Sequence, residues 1–120
     1  MVTLTQYVRV FGDLDVDAEI NRKATGNANM VPIAYGTVES NGNILTGTGN
    51  FTASVSGSVF TVCVNGETLN QNNTVCSISP FSTASRNSSI IISGGNLNVR
   101  IFNSSGSLTP TTFQFVIYKL

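Results

Sequence analysis

Apolar side chains recur at every second position along almost the whole chain, a period that matches the two faces of a β-strand and leaves little room for helix. Runs rich in Val, Ile, Thr, Phe and Tyr fall at residues 3–10, 14–20, 33–39, 51–56, 59–65, 74–79, 89–93, 97–103 and 112–118. Among them stand Asn41-Gly42, Gly47-Thr48-Gly49, Ser56-Gly57-Ser58, Asn65-Gly66, Gly94-Gly95-Asn96 and Ser105-Gly106-Ser107. Gly and Asn accept the positive φ that tight turns impose, so these are the expected reversals. The fold class that follows is all-β: an antiparallel β-sandwich, jelly-roll or Greek-key like, preceded by a short N-terminal β oligomerisation segment. Its expected core is Phe51, Phe60, Val62, Val64, Ile91, Val99, Ile101, Phe113, Phe115 and Ile117. A chain of 120 residues suits one such core.

The first twenty residues follow the same period with a different composition. Even positions read Val2, Leu4, Gln6, Val8, Val10, Gly12, Leu14, Val16, Ala18 and Ile20, while Asp13, Asp15, Asp17 and Glu19 fill the odd positions from 13 onward. An unbroken strand of that length would run about 60 Å at ~3.3 Å per residue, so Gly12 is the expected bend. Two strands alone are marginal in water, and their apolar row needs a cover. Either the sandwich supplies it or neighbouring copies do. Neighbours are the expectation, with Val8, Val10, Leu14, Val16 and Ile20 as the candidate oligomer interface. Residues 1–29 are thus read as a stalk, collar or docking segment whose polar connector is 21–29, and residues 30–120 as the head. Deleting 1–20 is expected to leave a folded but dissociated sandwich.

Charge is sparse. Six basic and six acidic residues make up 10% of the chain, against a usual figure of ~25%, and cancel. The basic residues are scattered, which argues against nucleic acid as a partner. No apolar run is long enough to insert in a membrane as a helix. The start, MVTLTQYVRV, lacks the features of a secretory signal. Cys63 and Cys76 have no metal-ligand spacing; two buried thiols on neighbouring strands and a disulfide are both open readings.

Histidine is absent, which excludes Ser-His-Asp and Cys-His machinery. Glu39 and Glu67 form the one conceivable carboxylate pair, and each adjoins an Asn-Gly turn as solvated acids often do. Asp13-Leu14-Asp15-Val16-Asp17 opens like a calcium loop, but Ala18 and Ala24 stand where the motif needs Gly and Glu. The Gly-rich turns open no helix and so hold no phosphate. The four Asn-x-Ser/Thr sequons, at Asn50, Asn72, Asn87 and Asn103, are what such a composition produces by chance. The expectation is no enzyme, no catalytic residue, no cofactor and no metal. Binding would fall to amide and hydroxyl side chains beside an aromatic ring. Two loops offer them: 68–74, with Asn70, Gln71, Asn72 and Asn73, and 81–88, with Phe81, Arg86 and Asn87. Tyr7, Phe11, Tyr35 and Tyr118 fit either packing or an interface.

The segments VFGDLDVDAEI, GNANMVPIAYGTV, TGTGNFTASVSGSVFTV and LNVRIFNSSGSLTPTTFQFVIYKL give the chain a style that resembles the distal β-domains of bacteriophage fibre and spike proteins. In that resemblance Gly12, Asp13, Leu14, Asp15 and Val16 correspond to a trimeric stalk or collar, and residues 113–120 to the terminal strand of a host-facing head. It implies a homotrimer on the virion surface, attached to other virion proteins and facing a host surface glycan or protein. The alternative is a carbohydrate-binding or adhesion module of a secreted or cell-surface bacterial protein.

Overall fold

Two hairpin turns show how the sequence sets its own registers. Ser56 pairs with Val59 across Gly57 and Ser58, whose φ values are 56° and 64°, and Ser93 pairs with Asn96 across Gly94 and Gly95, at 64° and 79°. Positive φ at both central residues gives the type I′ turn, whose twist matches the strands it joins. Ser58 adopts this left-handed conformation without glycine's freedom.

The computed structural model describes residues 11–17, 20–22 and 28–120, and every regular element within them is a strand. In chain order these are β1 (Asn21–Arg22), β2 (Ala28–Asn29), β3 (Ala34–Val38), β4 (Ile44–Gly47), β5 (Phe51–Ser56), β6 (Val59–Val64), β7 (Thr74–Pro80), β8 (Arg86–Ser93), β9 (Asn96–Asn103) and β10 (Phe113–Lys119). β1 and β2 form a small antiparallel ladder. The others build two antiparallel sheets, ordered β4-β3-β10-β7 and β5-β6-β9-β8. The last strand lies between β3 and β7, so the chain's final residues hold the middle of one sheet.

The sheets meet face to face. Phe51 of one sheet packs edge-on against Phe115 of the other, and Phe60 does the same with Phe113, each pair 4.9 Å between ring centres. Such edge-to-face pairs add ~0.5–1.5 kcal/mol each beyond the area they bury. Around them lie Ala34, Val38, Val62, Val64, Leu69, Leu97, Val99, Ile101 and Ile117, all buried. Gly36 and Gly47 sit opposite each other, and a Cβ on either would lie 2.7 Å or less from the Phe51 ring. That cross-strand glycine pair is the seat of the ring.

Nine of the ten expected core residues are buried; Ile91 is the correction. It is 51% exposed because the β8–β9 register sets Ile90 and Ile92 opposite buried Val99 and Leu97, leaving Ile91 opposite Asn98 on the outer face. A one-residue phase error moves a side chain to the other face. Three consecutive isoleucines hide that phase. The expected strand at 14–20 is also corrected: Leu14 to Asp17 and Ile20 belong to no strand, and that at 3–10 lies outside the described residues. Ile20 O accepts from Met30 N at 2.7 Å, next to the β1–β2 ladder. β4 and the β1–β2 ladder were not foreseen, the first because its Gly47 reads as a turn residue.

Candidate functional site

The antiparallel ladders sort the loops onto two ends. At the entry end, where residues 28–33 reach the sandwich, lie 48–50, 65–73, 94–95 and the final residues 119–120; Ile33 N donates to Ile117 O, Leu69 N to Gly95 O and Leu120 N to Asn73 O. At the far end lie 39–43, 57–58, 81–85 and 104–112, with Phe81 N donating to Thr112 O. The two expected binding loops flank β7, which separates them by about 20 Å at ~3.3 Å per residue. They are two places, not one site.

At the entry end two of the loop's four amide side chains build it. Asn70 Oδ1 accepts from Asn72 N at 2.9 Å, and Asn73 Oδ1 accepts from Asn70 N at 3.1 Å and from Thr74 Oγ1 at 2.6 Å. These are turn-forming contacts of the kind that short amide side chains favour. Gln71 and Asn72 are exposed at the tip.

At the far end Phe81 is 64% exposed and lines an open hollow with Pro80, Ser82 and Thr83. Arg86 and Asn87 are a correction, since β8 begins at Arg86 and both belong to the strand. Arg86 Nε donates to Thr111 Oγ1 at 3.2 Å and its Nη1 to Ser85 O at 3.0 Å, so the guanidinium clamps the β9–β10 connection. Asn87 lies exposed opposite Phe102 in the ladder. Leu108, 42% exposed in that connection, joins Phe81 as apolar surface at the far end. Its isolation within a Ser, Gly, Thr and Pro stretch was the signal for it. Asn103 Oδ1 holds this turn by accepting from Ser105 N and Ser107 N.

The remaining reactive groups are dispersed. Glu39 follows β3 at the far end, whereas Glu67 at the entry end pairs with Lys119 Nζ, so no carboxylate dyad forms. Among the described residues no three His, Cys, Asp or Glu side chains gather. Cys63 and Cys76 are free thiols on β6 and β7, which belong to different sheets and are not neighbours. Burial pushes the Cys76 thiol pKa up.

The entry end also joins the N-terminal segment to the head. Asn29 Nδ2 donates to Lys119 O at 3.3 Å, Asn29 Oδ1 accepts from Val31 N at 3.1 Å, and Asn50 Nδ2 donates to Ile33 O at 2.8 Å. Beyond this junction Leu14, Val16 and Ile20 are 68%, 43% and 39% exposed. Val8 and Val10 lie outside the described residues. Comparison with protein-family models, curated proteins and solved structures finds no match for this chain.

Proposed function

We propose that this chain is a non-enzymatic structural subunit of a virion, a fibre, spike or decoration protein, that trimerises through its N-terminal apolar row. The junction at residues 28–33 lies at the entry end, and the row that precedes it in the chain docks on other virion proteins. The far end, with Phe81, Leu108 and the hydroxyl-rich turns around them, faces a host surface glycan or protein. One observation carries the reading: Leu14, Val16 and Ile20 stand exposed on a single chain whose sandwich core is closed without them. Three exposed aliphatic side chains in one short segment are the mark of a surface made to be covered.

The test is the mass of the full chain by sedimentation equilibrium. A multiple of three chains, each 12.7 kDa, is expected, and Leu14→Ser combined with Val16→Ser should remove the factor of three while the sandwich stays folded by circular dichroism. A monomer at micromolar concentration would reject the reading in favour of a carbohydrate-binding or adhesion module.

A further inference from the structure

Edge strands expose unpaired backbone groups, and folded proteins protect them by shortness, bulges, proline, charge or a covering loop. Three of the four edges here are guarded. β4 is four residues long and its register slips beside Thr37 and Val38. The β3–β4 turn packs on β5: a Cβ on Gly42 would lie 3.1 Å from Val55 N and 3.4 Å from the Ser54 carbonyl carbon. β7 ends in Pro80. Among the described residues β8 has none of these devices except the charge of Arg86 at its start. It runs eight residues in unbroken register with β9, its one ladder partner among the described residues, and carries no proline and no charge beyond Arg86. Ile90 and Ile91 are 39% and 51% exposed on it.

We infer that β8 is a pairing edge whose partner is β8 of a second copy of this chain, joined antiparallel about a two-fold axis at Ile91. The sequence is self-complementary in that register. Ile91 meets Ile91, Ile90 meets Ile92 and Ser89 meets Ser93, so apolar groups face apolar groups and hydroxyls face hydroxyls. Arg86 extends past the partner's Gly94-Gly95 turn, and no like charges meet. Antiparallel pairing about a two-fold is isologous and closes at two copies. Ile90 and Ile92, which point toward the core at the rim of the sandwich, then gain cover from the same residues of the partner, and two four-stranded sheets become one of eight. The contact is independent of the N-terminal row.

Sedimentation equilibrium on the full chain across a concentration series tests this, with Ile91→Lys setting two ammonium groups against each other at the axis. The unsubstituted chain should plateau at twice the mass of the variant, six chains against three where the N-terminal row trimerises and two against one where it does not. A failure of the trimer reading is therefore distinct from a failure of this one. Amide exchange across residues 87–93 should slow as concentration rises in the unsubstituted chain and not in the variant. Ile91 is half exposed, so the variant should keep the thermal midpoint that the parent shows at concentrations too low to pair, and Ile91→Thr, which keeps a β-branched neutral side chain, should pair more weakly than the parent but more strongly than the lysine variant. Equal masses for parent and Ile91→Lys at every concentration, or growth past twofold without a plateau, overturns the proposal.

Discussion

Strand β6 and the segment at 14–20 carry the same period of two and end in opposite environments. In β6, Phe60, Val62 and Val64 are buried, because β5 and β9 complete its ladder and β10 of the facing sheet covers its inner face. Leu14, Val16 and Ile20 keep the period of two, belong to no strand and are exposed. Alternation specifies which side chains seek cover. The rest of the chain decides whether cover exists. The sandwich found its second layer within one copy, and the described side chains Leu14, Val16 and Ile20 stand exposed.

The contrast breaks most visibly if the head's stability fails to depend on its own rings. Phe113 is fully buried and touches both Phe60 and Phe115, so Phe113→Ala should cost about 3–5 kcal/mol in urea unfolding. Gly36→Ala forces a methyl into Thr46 O and the Phe51 ring and should cost about 1–3 kcal/mol by the same measurement. At the junction between the two regions, Glu67→Gln should cost no more than ~0.2–1 kcal/mol, because the Lys119–Glu67 pair is partly exposed, and the difference should shrink in high salt. Leu14→Ser with Val16→Ser should change the head's stability by less than ~0.5 kcal/mol while altering the mass; a larger loss of stability would show that the segment belongs to the head's core. Cys76 sharpens the contrast without a substitution. Its thiol pKa is raised by burial in the fold above its ordinary 9.0, so the native state favours the protonated form. The stability this contributes is whole below that value and is lost as pH climbs through the folded pKa. Alkylation of Cys76 by iodoacetamide at pH 8 should be slower in the folded chain than in urea, and equally slow with Leu14 and Val16 replaced.

The sandwich was legible because both sheets rest on local chemistry. Alternation and turn residues located β5, β6, β7, β9 and β10 closely, and nine of ten core positions with them. What escaped lacked a local signal. Gly36 and Gly47 are adjacent only through pairing and are shaped by Phe51, a contact that no short window contains. Leu69 is buried from within a polar loop because its backbone reaches Gly95. The candidate site was read less well, for a related reason. Asn70, Asn73 and Arg86 look like free binding groups in sequence, and folding employs them to hold the backbone and neighbouring loops. Exposure of a polar side chain cannot be read from composition when the turn beside it needs the same atoms.

The place of β3 has a mechanical consequence. Force arriving along the N-terminal segment enters β3 at residue 33 and, if the far loop at 104–112 is gripped, leaves through the start of β10. These two strands are antiparallel neighbours pulled from opposite ends, so the hydrogen bonds between them take the load in shear and share it, and the ladder is not peeled open one rung at a time. A tether that connects there holds hardest when stretched along its own axis.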